Sequence, residues 1–562
     1  MSVSLPQHDS PENQAKRQAW LGQNRKKYEF NPEYLPPLTV LKDVPRNESF
    51  SARYLAERVP NTVAELSANS LAVRVRSLWD PLDELQDFED FYPTLKPPSV
   101  MPSYQTDEVF AEQRLSGANP MVIRRLTAWP ESVNFSVADV QTAYGSSLNL
   151  QQALAEGHLF VSDYRSLSFV QGGTYAKGKK YLPIPIALFA WRKMGYGTRG
   201  ALMPIAIQLS DPSNAQGSLL TPFSPANQWL YAKICVQIAD ANHHEMASHL
   251  CHTHFVMEPF AISTARQLSP THPLQVLLKP HFRFMLYNNE LARQRLVSQG
   301  GIVDDLLAGT LAESLQITQE AYFKNAENQW SLAESALPIS IKNRGMELDS
   351  QADLPHYPYR DDGLLLWQAI ADYVKDYLAI YYPSVEDIQG DYELQAWAQE
   401  LTDQGPDGGK VKGMPSRIET IEQLNDIVTT IIFTCGPQHS AVNFTQYDYM
   451  GFIPNAPLAA YQPIQTQFDP HQDLTLAELM AFLPPAKQVM GQIQILYALS
   501  DYRYDQLGYY DQNFGDRPAN MALARFRQGL NLIEHKIKQR NKNRVIPYEV
   551  LRPSLVLNSI SI

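Results

Sequence analysis

Residues 229–260, WLYAKICVQIADANHHEMASHLCHTHFVMEPF, decide how this sequence folds. Apolar residues recur through the stretch at helical spacing, which predicts one long and largely buried helix. A single histidine on an apolar helix face is usually a hydrogen-bonded core residue. Five of the chain's thirteen histidines lie within twelve positions here, and that density favours metal binding. They are His243, His244, His249, His252 and His254.

The spacing of these histidines decides which of them can share an ion. His244-Glu245 begins like the zinc-protease motif, but that motif needs a second histidine four positions later, where this chain has Ser248. His244, His249 and His254 recur every five residues, so neighbours would lie about 140° apart around a regular α-helix. A π-helical segment with i→i+5 hydrogen bonds would align them. The sequence therefore predicts either a π-bulge or no shared metal.

Two further patches carry chemistry. His439 and Asn443 in TIIFTCGPQHSAVNFTQY (430–447) lie at i and i+4, about 40° apart on a helix, so an imidazole and an amide oxygen could face one site. The alternative is a helix that hydrogen-bonds its neighbour through these side chains. Gly436-Pro437 is expected to break or kink the helix just before the pair. The chain's last residues, LNSISI, end on Ile562, whose carboxylate could be buried only with a cation or metal.

Composition limits the class of protein. The chain has 562 residues and a net charge of −12, and this acidic balance argues against a nucleic-acid partner. Hydrophobic residues make up 44% and charged residues 19%, which is ordinary globular composition. Three scattered cysteines favour a reducing compartment. With no signal peptide and no long apolar run, we expect a cytoplasmic protein without transmembrane helices.

The chain is expected to be mainly α-helical, with a small β element near residues 181–210 on either side of a glycine-rich turn. Residues 31–50 and 93–103 are proline-rich and predict extended connections. Residues 52–92 predict short amphipathic helices. Residues 10–30 form a basic, partly aromatic helix capped by Ser10, which could lie on a membrane surface; the alternative is a solvated helix packed on the main domain.

These patches together resemble the lipoxygenases, non-haem iron dioxygenases of polyunsaturated fatty acids. The resemblance covers about residues 150–562 and rests on separated motifs in the family's order. The matching motifs are Trp229-Leu-x-Ala-Lys, His244-x4-His249-x4-His254, Glu258-Pro-Phe, His272-Pro, Pro280-His281-x-Arg283, Leu291-Ala-Arg293, Gln438-His-x-Ala-Val-Asn443-Phe-x-Gln446-Tyr and the terminal Ile562.

The resemblance implies a large single helical catalytic domain, one non-haem iron and a set of ligands. These ligands are His249 and His254 on the π-bulged helix, His439, Asn443 and the main-chain carboxylate of Ile562. His244, Glu245 and Gln446 would surround and orient the ligands, with Gln446 linking Asn443 to the substrate cavity and Glu245 as its hydrogen-bond partner. No catalytic side chain is implied beyond a hydroxide on the iron.

The resemblance also implies the reaction. O₂ would add to the cis,cis-1,4-pentadiene of linoleate or α-linolenate, free or as a glycerolipid ester, giving a 9R or 13S hydroperoxide. Ala292, Leu296 and Val303 match substrate-channel positions, with core packing as the alternative for each. Two rival functions are a fatty-acid hydroperoxide isomerase on the same iron site and a metal-free lipid-binding protein of the same fold.

The domain prediction places a helical and proline-rich extension at residues 1–100 and the catalytic domain at residues 101–562. The extension lacks a regular run of alternating strands, so we expect no β-barrel lipid domain there. This arrangement resembles the minimal lipoxygenases of cyanobacteria. In such an enzyme the helix at 10–30 would be the peripheral membrane contact.

Overall fold

A computed structural model describes residues 3–76, 82–129, 136–144, 149–193, 200–210, 217–323, 330–348, 354–501, 504–510 and 514–562. Helices dominate this part of the chain, which confirms the mainly α-helical prediction. Among the described helices, none combines the length and apolar character that a membrane crossing requires.

The helices are numbered α1 to α22 in chain order, and the two π-helical segments are π1 and π2. The α-helices are α1 Pro11–Arg25, α2 Ala52–Arg76, α3 Asp107–Ser116, α4 Val137–Tyr144, α5 Leu150–Ala155, α6 Ala226–His243, α7 Val256–Gln267, α8 Pro273–Leu278, α9 Met285–Arg295, α10 Ile302–Leu306, α11 Leu311–Phe323, α12 Leu332–Ser335, α13 Leu337–Asn343, α14 Pro358–Tyr381, α15 Val385–Gly390, α16 Tyr392–Thr402, α17 Ile421–Phe433, α18 His439–Asn443, α19 Gln446–Met450, α20 Leu476–Phe482, α21 Ala486–Ser500 and α22 Arg517–Asn541. The π segments are π1 His244–Phe255 and π2 Thr434–Gln438.

A continuous helix formed by α6, π1 and α7 runs through the core of the molecule. Its residues are buried on nearly all sides, as expected of a helix that is apolar around its whole circumference. The predicted buried helix at 229–260 is therefore confirmed. Its middle is π-helical over twelve residues, so the π-bulge, and not the regular helix, is the alternative that the chain adopts.

The β structure near residue 200 belongs to an antiparallel sheet whose strands, in spatial order, are β3 Arg124–Arg125, β4 Leu159–Asp163, β7 Ile186–Lys193, β8 Gly200–Gln208 and β9 Leu219–Leu220. Side chains alternate across it: Phe160 and Phe189 face the main core, whereas Leu159 and Leu188 face a smaller core covered by α4 and α5. The predicted element at 181–210 corresponds to β7 and β8, and the turn at 194–199 lies outside the described residues. The strands are β1 Phe30–Leu35, β2 Leu38–Leu41, β3 Arg124–Arg125, β4 Leu159–Asp163, β5 Thr174–Tyr175, β6 Gly178–Lys179, β7 Ile186–Lys193, β8 Gly200–Gln208 and β9 Leu219–Leu220.

The first 100 residues differ from the predicted extended connections and short helices. Strands β1 and β2 pair as an antiparallel hairpin within 31–50, and every residue of β2 is buried because β2 packs against α7. In the described parts of residues 52–92, the chain forms the long helix α2 and a 3-10 helix at Leu85–Phe91. Helix α2 continues through Pro60 at an exposed position, where water can bond the carbonyl that loses its partner.

The basic helix α1 begins as predicted, with the Ser10 side chain accepting a hydrogen bond from the main-chain N–H of Asn13. Its apolar residue Leu21 is buried, and Arg17 lies buried in ion pairs with Asp9 and Glu393. Helix α1 therefore packs on the domain through its apolar side, as the alternative interpretation of residues 10–30 expects.

One main hydrophobic core unites the ends of the chain. It includes Tyr28, Val40 and Phe88 from the first 100 residues and extends to Ile562. The domain boundary at residue 100 stays a prediction. The shared core means that the hairpin β1-β2 and the last residues are both placed by the same packing that surrounds the central helix.

Candidate metal centre

Three buried histidines converge at the centre of the molecule. His249 and His254 on π1 bring their Nε2 atoms within 3.2 Å of each other. His439, the first residue of α18, adds a third ring nitrogen, and the three donor atoms all lie within 4.8 Å of one another. Three imidazoles at this spacing fit a transition-metal ion, for which imidazole is a preferred ligand.

The electrostatics of these rings also suit a metal. Burial lowers the pKa of His254 to about 3 and the pKa of His249 below its ordinary value. Burial and the two neighbouring imidazoles hold the pKa of His439 well below its ordinary value, while the main chain of Ile562 opposes this shift. Neither ring nitrogen of His439 has a hydrogen-bond partner of ordinary geometry. Neutral imidazoles with free lone pairs are the form that binds a metal.

The widened helix explains why the five-residue spacing works. In π1 the repeat of i→i+5 hydrogen bonds places His244, His249 and His254 on one side. The rings of His244 and His249 stack with centroids 5.6 Å apart, whereas His254 meets His249 edge-on. His243 and His252 face elsewhere, with His252 bonded to the main chain of Ala321 on α11.

Asn443 lies four residues after His439 and is fully buried on α18. Its amide donates a hydrogen bond of 2.7 Å to the carbonyl of Leu499, so its Oδ1 is free to accept. Gln446 donates to that oxygen at 3.1 Å, which leaves one lone pair of Asn443 for a further partner. The Oε1 of Gln446 is buried without a hydrogen-bond partner. The predicted link between Asn443 and Gln446 is present.

The last residues of the chain are buried beside this helix. Ile562 is 2% exposed, and its main chain approaches His439. The Tyr54 hydroxyl donates to the carbonyl of Ser561 at 2.6 Å, and His281 donates to the carbonyl of Asn558 at 2.8 Å. These bonds hold the terminal segment in the core instead of letting it fray.

Gly436 permits the close approach of the terminal segment. A Cβ at this position would lie 2.8 Å from the carbonyl oxygen of Leu557, which is closer than van der Waals contact allows. The Gly436-Pro437 pair was expected to break or kink the helix. Instead the helix widens into π2, which contains Pro437, and continues into α18.

Glu245 differs from its expected role as the partner of Gln446. Its carboxylate oxygens lie 3.5 Å from Nδ1 of His244 and 3.7 Å from Nδ1 of His249. Burial opposes ionisation of Glu245, but the two imidazoles lower its pKa to about 2. His244 in turn bonds the carbonyl of Val442 at 2.8 Å. Both residues therefore orient the central helix and His249, and no bond joins Glu245 to Gln446.

His254 is positioned by a buried polar network that was not predicted from the sequence. The Nδ1 of His254 donates to Asn289 at 2.8 Å, which directs Nε2 towards the other histidines. The amide of Asn289 donates to Glu258 at 2.7 Å, and Nη1 of Arg293 donates to both carboxylate oxygens of Glu258 at 3.0 Å. The main-chain N–H of Leu41, in the hairpin β1-β2, also donates to Glu258, at 2.7 Å. The motif residues Glu258 and Arg293 carried the only sequence signal for this network.

Replacing Asn289 with alanine is expected to weaken metal binding roughly 10- to 100-fold, the usual effect of losing a residue that orients a metal-ligating histidine. The measurement is a titration of metal-free protein with Fe²⁺ or Co²⁺. The matched control is Asn288→Ala, which changes the adjacent, half-buried amide. Equal affinities for the two variants would contradict the positioning role.

The three predicted channel residues lie together near this network. Ala292 is buried on α9, one turn after Asn289. The N–H of Leu296 bonds the carbonyl of Ala292 at 2.9 Å, and the N–H of Val303 bonds the carbonyl of Leu296 at 3.0 Å. Leu296 and Val303 are partly buried against the main core. Their role as channel residues stays a prediction.

The sequence as a whole was compared with known protein families. The family model described as Lipoxygenase matches residues 92–553. The chain belongs to the lipoxygenase family. As a lipoxygenase it falls in a family of dioxygenases that act on polyunsaturated fatty acids and use non-haem iron.

Individual lipoxygenases agree with this assignment. Polyunsaturated fatty acid lipoxygenase ALOX15B of Homo sapiens is 34% identical over 573 residues, spanning 100% of this chain and 82% of that protein. Linoleate 9/13-lipoxygenase of Pseudomonas aeruginosa is 35% identical over 498 residues, spanning 85% of this chain and 70% of that protein. An anaerobic crystal structure of a LOX variant in complex with arachidonate superposes with a TM-score of 0.88 at 29% identity, covering 100% of this chain and 84% of that one.

Proposed function

We propose that this lipoxygenase converts linoleate and α-linolenate, as free acids or glycerolipid esters, to conjugated-diene hydroperoxides of the 9R or 13S type. The observation that carries the proposal is the convergence of His249, His254 and His439, with both ring nitrogens of His439 unpaired. The relative named a linoleate 9/13-lipoxygenase supports linoleate as the first substrate to test. A cytoplasmic location stays a prediction of the sequence.

The proposed metal is iron, held by the three histidines, by Oδ1 of Asn443 and by the carboxylate of Ile562. Bound there, iron would supply the one-electron oxidation that removes a hydrogen atom from the bis-allylic carbon of the substrate. Three neutral imidazoles, an amide oxygen and one carboxylate form a nitrogen and oxygen donor set that suits iron. Five protein ligands would also leave little room for substrate on the metal.

The protein's own part in the reaction is to hold these groups and to place the substrate. Gln446 fixes the orientation of the Asn443 amide through its 3.1 Å hydrogen bond to Oδ1. Asn289 fixes the orientation of the His254 ring in the same way. Ala292, Leu296 and Val303 would border the reacting pentadiene. The reaction balances as one diene plus one O₂ giving one hydroperoxide, which retains both oxygen atoms and the hydrogen.

The test is to mix purified, metal-loaded protein with linoleate and record diene absorbance and O₂ uptake together. We expect one O₂ to be consumed per diene formed. Chiral chromatography of the product then gives the regiochemistry and stereochemistry of the hydroperoxide. Metal analysis of the protein as purified, before any metal is added, distinguishes iron from manganese.

Two other results would replace the proposal. Consumption of added fatty-acid hydroperoxide without O₂ uptake would identify a hydroperoxide isomerase on the same site. Tight binding of linoleate by protein that takes up no metal would identify a lipid-binding protein that retains the fold.

A further inference from the structure

Helix α10 has only five residues, Ile302–Leu306, and it carries Val303, one of the predicted channel residues. An isolated helix shorter than about 12–15 residues is at best marginally stable in water, so contacts from other elements must fix the position of α10. At its start, the N–H of Gly300 bonds the side chain of Asp304 at 2.9 Å. The N–H of Val303 bonds the carbonyl of Leu296 at 3.0 Å, which ties one predicted channel residue to another.

The other end of α10 is completed by two side chains from distant segments. In a longer α-helix, the N–H of residue 308 would bond the carbonyl of residue 304. Here the carbonyl of Asp304 accepts a hydrogen bond from Nζ of Lys180 at 2.7 Å. The N–H of Ala308 donates to Oδ1 of Asn242 at 3.0 Å. Lys180 and Asn242 therefore take the place of the missing helical hydrogen bond.

Lys180 is a fully buried lysine whose ammonium is directed at the main chain. Burial lowers its pKa to about 8, while the neighbouring carboxylates of Asp304 and Asp305 oppose this shift. In the part of the chain that the structure describes, the hydrogen-bond partner of this ammonium is the carbonyl of Asp304. Because a buried cation costs free energy unless it is hydrogen-bonded, this single bond strongly favours one position of α10.

The hairpin formed by β5 and β6 places Lys180, which directly follows β6. The N–H of Lys180 bonds the carbonyl of Gly173 at 2.9 Å, and the N–H of Gly173 bonds the carbonyl of Ala308 at 2.8 Å. A Cβ at Gly173 would lie 2.7 Å from the carbonyl oxygen of Gly309, so only glycine allows this close approach. The base of the hairpin therefore grips the same segment that the Lys180 side chain holds.

Asn242 connects this segment to the helix that carries the histidines. It is buried on α6, two residues before π1 begins. Its Nδ2 donates to the carbonyls of Ile238 and Leu458, each at 2.8 Å, while its Oδ1 accepts from Ala308. The end of α10 is thus fixed relative to the central helix by one amide whose oxygen and nitrogen are both in use.

We propose that Lys180 and Asn242 are positioning residues for the oxygenation reaction, which fix α10 and hold Val303 beside the reacting pentadiene of the substrate. A channel wall that stays in one place keeps one face and one end of the pentadiene open to O₂. The two residues thereby set the positional and stereochemical purity of the hydroperoxide. This inference rests on the proposed function, in which Val303 borders the pentadiene.

The test replaces each of the two side chains in the full, metal-loaded protein. Lys180→Met removes the ammonium and retains a long side chain, and Asn242→Leu removes the acceptor of the Ala308 N–H. With linoleate, we expect each variant to lower the ratio of major to minor hydroperoxide isomers at least roughly fivefold, because the pentadiene is no longer held in one register. The value of kcat should fall while KM stays within about twofold, since α10 borders the reacting segment and not the whole acyl chain.

A second measurement needs no turnover. Hydrogen exchange of residues 302–308, followed by mass spectrometry in the absence of substrate, should be faster in both variants because the end of α10 opens more readily. The matched control is Lys179→Met, which changes the exposed lysine next to Lys180. We expect this control to match the parent in exchange and in isomer ratio. Metal content per chain should be equal in the parent and all three variants.

Faster exchange together with a lower isomer ratio in Lys180→Met and Asn242→Leu, and in neither case in Lys179→Met, supports the proposal. A parent-like isomer ratio or parent-like exchange in the two variants overturns it, as does an equal change in the control. Loss of metal from both variants also overturns it, because their role would then lie at the metal centre. If one variant does not fold, the other gives the same readings. Failure of the parent to oxygenate linoleate would contradict the proposed function, whereas unchanged exchange would contradict this inference whatever the substrate.

Discussion

Replacing His439 with alanine is expected to abolish metal binding and to lower dioxygenase activity by more than roughly 1,000-fold, beyond the ~10–100-fold typical of residues that only orient ligands. His439 is fully buried, and its ring nitrogens have no other hydrogen-bond partner to compete with a metal. Metal content per chain and the rate of O₂ uptake with linoleate are the measurements.

The matched control for this variant is His252→Gln. His252 lies on the same π-helical segment as His249 and His254, but its ring faces α11. We expect this variant to retain metal and activity. If both variants lost metal equally, general damage to the central helix would account for the loss, and the three-histidine site would be contradicted.

Deleting Ile562 is expected to reduce iron content and activity as strongly as the His439→Ala substitution does, while the fold persists. The deletion moves the terminal carboxylate to Ser561, whose carbonyl already accepts the Tyr54 hydroxyl. The remaining segment stays anchored by the bond from His281 to Asn558 and by the approach of Leu557 to Gly436. Iron analysis, O₂ uptake and circular dichroism on one preparation give the three required readings.

The control for the deletion is Ile562→Val, which keeps the carboxylate and most of the buried side chain. Retention of iron by this variant, together with its loss on deletion, assigns the effect to the carboxylate. Retention of iron and activity by the deletion variant itself would rule out the carboxylate as a ligand.

The central part of the site was predictable from residue spacing, because histidines at five-residue intervals are useful only on a widened helix. The spacing left two alternatives, a π-bulge or no shared metal, and the π-helical segment π1 decides between them. The shared orientation of His439 and Asn443 was equally predictable, since side chains at i and i+4 lie about 40° apart on a regular helix. Resemblance to the lipoxygenases supplied what spacing could not, namely Gln446 as the partner of Asn443.

The parts that escaped prediction depend on contacts between distant segments. Asn289 is one polar residue of a short helix, and only the fold brings it to His254, thirty-five positions earlier. The hairpin β1-β2 was obscured because Pro36 and Pro37 interrupt the strand pattern, and its burial comes from packing on α7. Helix α2 is longer than the short helices predicted for residues 52–92, because it continues through Pro60.

The hydrogen bond between Tyr54 and Ser561 joins residues 507 positions apart. Leu41 and Glu258, and Arg17 and Glu393, are likewise linked across 217 and 376 positions. A chain whose central contacts are so non-local has a high contact order, so most of its loop-closure entropy must be lost before these contacts form. We therefore expect slow refolding, in which the candidate metal centre is completed only when the two ends of the chain have come together.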